Sequence, residues 1–140
     1  MKITYSDTHI FSADQLERLF CSVKWESGRY PEKLQIAMQG FKTVFSAWDG
    51  ERLVGLCCAM DDGIMNAYVQ YLLVDPCYHS RGIGSTLIAR IRETYRDYLR
   101  VVLLSYSREV RFYESCGFGR AIDAAPMFLT GLQKKSTDKD

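Results

Sequence analysis

Residues 74–84 read Val-Asp-Pro-Cys-Tyr-His-Ser-Arg-Gly-Ile-Gly, and they separate two stretches whose apolar patterns differ. Residues 67–74, which precede the turn, form an almost continuous apolar run that is typical of a buried strand. The stretch after the turn places apolar side chains at helical spacing, at Leu87, Ile88, Ile91 and Tyr95. Together these patterns predict a buried strand, a turn punctuated by glycine, and an amphipathic helix.

The turn between this strand and this helix has the features of an anion site. Gly82 and Gly84 permit positive φ and let a ligand approach the backbone closely. The first amides of the helix have no acceptor within the helix, and the helix dipole places partial positive charge beside them. Arg81 adds a full positive charge. We therefore expect a ligand that carries phosphate.

Two common phosphate-binding patterns are absent. The P-loop pattern G-x-x-x-x-G-K-[ST] does not occur, which argues against a nucleoside triphosphatase. The dinucleotide pattern G-x-G-x-x-G needs a third glycine where Leu87 stands. It also needs an acidic residue about 20 positions further on, where Leu104 and Ser105 stand. The ligand therefore belongs to another class.

The turn does match a third pattern, and a second match follows it. Residues 74–76 (Val-Asp-Pro), Tyr78 and residues 79–84 (His-Ser-Arg-Gly-Ile-Gly) resemble the acyl-CoA-binding motif of the GCN5-related N-acetyltransferase (GNAT) family. The usual form is Q/R-x-x-G-x-G/A after a V-x-P strand end. Residues 111–118, Arg-Phe-Tyr-Glu-Ser-Cys-Gly-Phe, resemble the family's F-Y-E-x-x-G-F. The resemblance covers residues 43–118 well and the first 40 residues loosely.

The resemblance implies a fold and a cofactor. In the family, acetyl-CoA lies between two parallel strands that splay apart, here the strand ending at Val74 and the strand around residues 101–104. The implied cofactor-binding residues are Leu72, Leu73, Val74, His79, Ser80, Arg81, Gly82, Ile83, Gly84, Ser85, Ser107 and Tyr113. The family uses a backbone amide at the end of the splayed strand as the oxyanion donor, here that of Leu73 or Val74. Tyr113 occupies the place of the family's tyrosine acid.

Two positions depart from the family pattern. His79 replaces the usual glutamine or arginine, and either its amide alone or its ring contacts phosphate. If the ring does, binding tightens as the ring protonates in mildly acidic solution; we favour the amide. Ser107 stands where many relatives carry an asparagine that bonds the cofactor, and a hydroxyl can accept the same bond.

Amine attack on a thioester needs a neutral amine, an oxyanion donor and a proton donor for the departing thiolate. A thiol has a pKa of about 8.5, so a phenol such as that of Tyr113 is acidic enough for the last role. The alternative is that Tyr113 is an ordinary helix residue that packs on the sheet. The first role has no obvious candidate. Period-two alternation would place Tyr68, Gln70 and Leu72 on the face of Val74, and none of these is a carboxylate or a histidine.

Three acidic residues remain as candidates for the base, but each is better explained as a solvated turn residue: Glu26, Asp61 and Asp62. Water oriented by Tyr68 or Gln70 is the other route. The expected acceptor pocket is lined by Trp25, Glu26, Tyr30, Tyr68 and Gln70. Aromatic walls from Trp25, Tyr30, Tyr68, Tyr71 and Tyr106 would suit a small amine with an apolar body, although burial in the core would also explain these rings.

Three functions therefore compete. The first is transfer of an acetyl group from acetyl-CoA to a small-molecule primary amine, and a loose resemblance to plant arylalkylamine-type acetyltransferases points the same way. The second is the same chemistry on a protein or peptide amine. The third is a non-catalytic module that binds acyl-CoA. Relatives often form homodimers, which is a further expectation.

Composition narrows the class of protein. A chain of 140 residues with 47% hydrophobic residues is a globular chain, and we expect a single domain over residues 1–133 and a disordered tail over 134–140. A net charge of +1 without a basic block argues against nucleic acid and an anionic membrane surface as partners. Five cysteines without metal-ligand spacing predict reduced thiols, no metal site and a cytoplasmic location.

Periodicity and turn residues give the remaining elements. Helices are predicted over residues 12–23, 31–40, 83–99 and 108–116, and strands over 1–7, 41–48, 53–60, 67–74, 101–104, 118–120 and 127–130. Asp49-Gly50 is a hairpin signal. The fold class is α/β (α+β), GNAT-like, with a mixed, mostly antiparallel sheet of six to seven strands, a central splayed parallel pair and about four helices on both faces.

Overall fold

Five strands form one mixed sheet in the order β1-β2-β3-β4-β5 in a computed structural model, which describes residues 2–131. The strands are β1 (Ile3–Ser6), β2 (Thr43–Asp49), β3 (Arg52–Asp61), β4 (Asn66–Val74) and β5 (Arg100–Leu103). The α-helices are α1 (Ala13–Ser22), α2 (Pro31–Gly40), α3 (Ile83–Thr94) and α4 (Val110–Ser115). Short 3₁₀ helices cover Glu26–Arg29, Pro76–Tyr78 and Ser107–Glu109.

The strand pairing confirms the predicted topology. β1 to β4 pair with their neighbours antiparallel, whereas β4 and β5 are parallel. Parallel neighbours need a crossover connection, and α3 supplies it. The predicted strand–turn–helix around residues 74–84 is therefore the crossover unit of the sheet.

Local signals set the ends of the first helices. Ser12 accepts a hydrogen bond from the amide of Gln15 at 3.1 Å, and the Gln15 side chain accepts one from the amide of Ser12 at 3.0 Å. This reciprocal capping satisfies two donors that the helix itself leaves free. Pro31 begins α2, where its missing N–H costs nothing. Gly50, at φ 60°, forms the predicted turn between β2 and β3.

Helices cover both faces of the sheet. On one face α3 buries Leu87, Ile88 and Ile91 against inward-facing residues of β2, β3 and β4. On the other face α1 and α2 bury Leu16, Phe20 and other side chains in a second cluster. We call these the α3 face and the α1–α2 face. Apolar burial on both faces explains the almost unbroken hydrophobic sequence of β3 and β4.

The structure differs from the sequence-based expectation in three elements. Residues 118–131 contain no helix or strand, so the predicted strands at 118–120 and 127–130 are absent and the described sheet has five strands. α3 ends at Thr94, because the Tyr95 side chain turns into the core and its hydroxyl bonds Thr43 and Asp61. The helix predicted over 108–116 divides into a 3₁₀ turn and α4. The predicted tail, residues 134–140, lies outside the described residues.

None of the helices within residues 2–131 is long and apolar enough to cross a membrane.

Candidate active site

The parallel pair β4–β5 separates halfway along β4. Pairing runs from Asn66 opposite Arg100 to Val69 opposite Leu103 and then ends. β4 continues for five more residues, 70–74, of which residues 71–74 pair with β3. We call the space between residues 70–74 and the chain after Leu103 the β4–β5 gap. It is the splayed parallel pair that the sequence predicted.

A β-bulge lies where the pairing stops. Tyr71 is opposite Cys58 and Val69 is opposite Ala59, so Gln70 has no partner on β3. A bulge interrupts the ladder and bends the strand locally. Pairing with β5 ends at the neighbouring residue, so the bulge and the start of the gap coincide.

The bulge also corrects the predicted face of Tyr68. Leu72 and Val74 pack with Val69 on the α3 face, whereas Tyr71 and Leu73 belong to the α1–α2 cluster. Tyr68 lies between two residues of the α3 face and therefore points to the opposite side from Val74. The prediction that Tyr68 shares the face of Val74 was wrong, because period-two alternation fails across an inserted residue, whereas Leu72 does share that face.

Backbone groups at the end of β4 alternate in direction. Asp75 donates its amide to the carbonyl of Val54 at 2.9 Å, which makes this a hydrogen-bonded antiparallel pair. Such pairs alternate along the ladder, so the amide of Leu73 points to β3 and the amides of Leu72 and Val74 point to the gap. Of the two predicted oxyanion donors, Val74 is the one that faces the gap. Leu73 instead contributes a side chain to the α1–α2 cluster.

The turn after β4, residues 75–82, ends at the first turn of α3. Ser80 and Gly82 both have positive φ, 65° and 76°. The first hydrogen bond inside α3 runs from the amide of Thr86 to the carbonyl of Gly82 at 3.0 Å. The amides of residues 83–85 therefore have no hydrogen-bond acceptor within the helix. These amides and the positive end of the helix dipole fit the phosphate groups of a cofactor.

Gly84 allows close packing between α3 and α4. It lies inside α3 rather than at positive φ, and a Cβ there would meet Cζ of Phe112 at 3.2 Å. The missing side chain therefore lets α4 pack on the first turn of α3. Ile83 is similarly a core residue, 2% exposed, so only its amide remains for a ligand.

Tyr113 is held by aromatic packing in α4. Its ring centroid lies 5.1 Å from that of Phe112 and 6.0 Å from that of Phe118, both edge-on. The side chain packs against the core of the α3 face, and this burial raises the pKa of Tyr113 above its ordinary value. Within residues 2–131 the hydroxyl of Tyr113 has no hydrogen-bond partner. Every side-chain oxygen without a partner in these residues keeps some accessible surface, and this hydroxyl is therefore accessible. The phenol is thus protonated and free to donate.

The remaining cofactor candidates lie on the turn, at the start of α3 and after β5. The His79 ring donates from Nε2 to the carbonyl of Val74 at 2.9 Å, which assigns the ring a partner in the protein. Arg81 places its guanidinium 5.4 Å from the centroid of the Tyr78 ring. Ser80 and Ser85 are exposed near the start of α3. Ser107 begins the 3₁₀ turn that follows β5, beyond the open end of the parallel pair.

Trp25 connects the early loop to both sides of the gap. Its ring centroid lies 6.1 Å from that of Tyr71 on β4 and 6.4 Å from that of Tyr106, which follows β5. Three of the predicted aromatic wall residues therefore lie close together: Trp25, Tyr71 and Tyr106. Beside Tyr71 lies a cavity of about 390 Å³, lined by Ser27, Tyr30, Lys33, Leu34, Ala37, Tyr71 and Gly131. The predicted residue Tyr30 therefore joins Tyr71 at one cavity.

The other predicted acceptor residues lie elsewhere. Glu26 pairs with Arg29 at 2.7 Å. Gln70 is the exposed bulge residue. Tyr68 lines a separate depression of about 470 Å³, together with Met60, Asp61, Asp62, Asn66, Ala67 and Val102. The structure thus does not bring all five predicted residues to one pocket.

Asp61 and Asp62 have structural partners. Asp61 accepts hydrogen bonds from the hydroxyls of Tyr95 at 2.8 Å and Tyr98 at 3.3 Å. Asp62 accepts from the amides of residues 64–66, and these bonds hold the pKa of its carboxyl well below the usual range. Asp62 therefore stabilises the β3–β4 connection, and Asp61 ties the end of β3 to the segment that follows α3. Within the described part of the chain, no group of three or more His, Cys, Asp or Glu side chains is arranged to hold a metal ion.

Comparison with known proteins agrees with this geometry. A histone acetyltransferase of Glycine max, TAP1, is 37% identical over 84 residues, which cover 59% of this chain and 35% of that protein. The chloroplastic GCN5-related N-acetyltransferase 2 of Arabidopsis thaliana is 34% identical over 91 residues, 60% of this chain and 34% of that protein. The chain thus spans about a third of the length of these curated relatives.

One solved structure matches this chain over nearly the whole length of both chains. It is a GNAT-family acetyltransferase of Streptococcus pneumoniae, with a TM-score of 0.77 and 29% identity over 93% of this chain and 98% of that one. The sequence model of the acetyltransferase (GNAT) domain matches residues 40–120, which include the gap, the turn and α4. The chain therefore belongs to the GNAT acetyltransferase family.

Proposed function

We propose that this domain transfers an acetyl group from acetyl-CoA directly to the primary amine of a small molecule. The observation that carries the proposal is the β4–β5 register: parallel pairing stops at Val69, and the open edge that follows leads directly to the free amides of α3. A ligand with an extended arm and a phosphate group at its end matches this sequence of features. Acetyl-CoA is the family's cofactor and has that form.

The chain offers backbone groups for the cofactor at two places. The amides of residues 83–85, with Gly82 at positive φ, would hold the phosphate groups at the start of α3. The amides of Leu72 and Val74, which face the gap, would bond the acyl-bearing arm. Neither place requires a particular side chain, so these contacts depend on backbone geometry. Acetyl-CoA would supply the acetyl group as a thioester.

Acetyl transfer needs an oxyanion donor near the thioester. The Val74 amide is a fixed donor at the end of a strand, and a donor of this kind costs no reorganisation when negative charge develops. When the amine nitrogen bonds to the acetyl carbon, the carbon–sulfur bond breaks and the electron pair leaves with sulfur. Val74 would stabilise the charge on the carbonyl oxygen during this exchange.

Tyr113 would then donate its proton to the departing thiolate. Its hydroxyl is free within the described residues, and burial keeps it protonated at neutral pH. The amine loses its proton to solvent or to a base. No base is assigned, because Asp61, Asp62 and Glu26 are engaged in structural bonds.

The acceptor is proposed to bind on the α1–α2 face of the gap. Trp25, Tyr71 and Tyr106 line that side, and the cavity of about 390 Å³ next to Tyr71 is of a size for a small ligand. A protein amine is the second candidate, because one relative carries the name histone acetyltransferase. Single-domain organisation over residues 1–133, a homodimer and a cytoplasmic location stay predictions.

The test is thiol release from acetyl-CoA at about pH 8, with a panel of small amines and peptides and with CoA binding measured in parallel. Release that depends on a small amine supports the proposal. Release that depends on peptides alone assigns a protein acceptor. Tight CoA binding without release from any acceptor supports the non-catalytic module, and absence of CoA binding contradicts the proposed site.

A further inference from the structure

Tyr78 connects the turn after β4 to the β2–β3 hairpin. Its side chain is buried, and its hydroxyl donates a hydrogen bond of 2.5 Å to Oδ2 of Asp49, the last residue of β2. A hydrogen bond to a carboxylate is stronger than one between neutral groups. The phenol ring is therefore fixed from outside the turn in which Tyr78 itself lies.

Two guanidinium groups lie within 6 Å of the centre of this ring. Arg81 is at 5.4 Å and Arg52 is at 5.6 Å. Both distances are within the range in which a cation is attracted to an aromatic ring. Two like charges around one ring also repel each other, so the arrangement needs negative charge nearby.

Asp49 and Asp75 provide that negative charge. Asp75 is 3% exposed and accepts a hydrogen bond from Nη2 of Arg52 at 2.9 Å and another from the amide of Cys77 at 2.9 Å. Burial alone would raise the pKa of Asp75, but these partners outweigh it and hold the pKa below its usual value. Arg52 is thereby paired with Asp75, and Arg81 is the second cation at the ring.

We infer that Tyr78 is a positioning residue that orients Arg81 toward the phosphate groups of the cofactor, with Asp49 of the β2–β3 hairpin holding the ring in place. The inference rests on the proposed function, since it takes the phosphate site to be at the start of α3. An arginine side chain has many rotamers, and one that is already stacked loses less freedom when it meets a ligand. The hairpin thus contributes to cofactor affinity without contact with the cofactor.

The test is a double-mutant cycle on the Kd of CoA, measured by calorimetry at fixed ionic strength. Tyr78→Leu removes the ring, and we expect it to raise the Kd about fivefold in the wild-type background. In an Arg81→Ala background the same substitution is expected to leave the Kd unchanged within about 1.5-fold, since Tyr78 then has nothing to orient. Equal fold-changes in the two backgrounds would overturn the inference.

A second ligand distinguishes an effect on phosphate binding from a general loss of structure. S-acetylpantetheine has the thioester arm but lacks the pyrophosphate, so its Kd is expected to be the same in wild type and Tyr78→Leu. A rise in both Kd values would mean that Tyr78 only supports the fold. Tyr5→Leu is the matched control. The Tyr5 ring on β1 has the guanidinium of Arg90 5.3 Å from its centre, and its loss is expected to leave the Kd of CoA unchanged.

Asp49→Asn repeats the test without removing the ring. It weakens the hydrogen bond to Tyr78, and the expected result is a two- to threefold rise in the Kd of CoA that also disappears in the Arg81→Ala background. If Tyr78→Leu does not fold, this variant decides. If the wild-type protein binds neither CoA nor S-acetylpantetheine, the proposed function itself is contradicted. If it binds CoA but the effects of the two substitutions are additive, this inference alone is overturned.

Discussion

The His79 ring donates a hydrogen bond from Nε2 to the carbonyl oxygen of Val74 over 2.9 Å, joining the first residue of the family motif to the last residue of β4. A carbonyl oxygen only accepts, so Nε2 carries the proton. Both the neutral Nε2–H tautomer and the imidazolium can make this bond. His79 therefore fixes the end of the strand whose amide is the proposed oxyanion donor.

Replacing His79 is expected to separate strand positioning from charge. His79→Ala removes the donor and should raise the Kd of CoA roughly three- to tenfold, whereas His79→Gln keeps an N–H donor and should retain most of the affinity. The measurement is the Kd of CoA for all three proteins at pH 6 and pH 8. Tighter binding at pH 6 in wild type alone would show that the charged ring contacts phosphate.

Tyr113→Phe is expected to lower turnover about 10²-fold while CoA binding changes little, because the phenol acts on the leaving thiolate. Burial raises the pKa of Tyr113, so its proton is retained as the pH rises, and the rate should not fall through loss of this proton below about pH 10. The pH profile of turnover with an amine identified in the panel checks both points. Tyr98→Phe, which removes a hydroxyl from the Asp61 cluster, is the control. Unchanged turnover in Tyr113→Phe refutes the acid role.

Gly84→Ala is expected to act on α4 rather than on phosphate binding. The new Cβ would lie 3.2 Å from Cζ of Phe112. Phe112 must therefore move by a few tenths of an ångström, and α4 moves with it, including the adjacent Tyr113. We expect a several-fold loss of turnover and a Kd of CoA within twofold of wild type. Phe112→Leu in the same chain removes the contacting ring atoms and should restore part of the turnover lost in Gly84→Ala. A weaker CoA complex with normal turnover would instead place Gly84 at the ligand.

Tyr95→Phe is expected to destabilise the fold by about 1–2 kcal/mol, because Tyr95 is 3% exposed and bonds Thr43 at 2.7 Å and Asp61 at 2.8 Å. Burial, together with the bond to Asp61, raises the pKa of Tyr95 to about 12. A raised pKa means that the stabilising contribution is complete below the unfolded value of about 10 and is lost as the pH rises toward 12. Urea unfolding of both proteins at pH 8 and pH 10.5 checks this. An equal difference at both pH values would contradict the assigned pKa.

Short-range rules predicted most of the elements. Three helix or strand boundaries are set by residues close together in the chain, and the structure shows all three. They are the start of α1 at Ser12 and Gln15, the start of α2 at Pro31, and the hairpin at Asp49-Gly50. The crossover from β4 through α3 to β5 was also predicted, because apolar runs of different period flank a glycine turn. These features depend on neighbours in the chain, which a sequence displays directly.

The predictions that failed depend on partners distant in sequence. Gln70 is a bulge residue only because β3 has one residue fewer over the same span. Gly84 lies inside α3 against Phe112, 28 positions later, and not at positive φ. The apolar residues of 118–131 resemble strands in composition, but strand formation needs ladder partners, and the described structure provides none for them.

The bulge at Gln70 has a consequence for insertions and deletions. Residues 66–69 and 71–74 already face the correct sides of the sheet, so a chain without Gln70 would form a regular strand with the same core. That strand could continue its ladder with β5 beyond Leu103 and leave no room between them. The sheet therefore does not need the extra residue, but the opening for a ligand does. Selection for activity would tolerate many side chains at this position and would reject its loss.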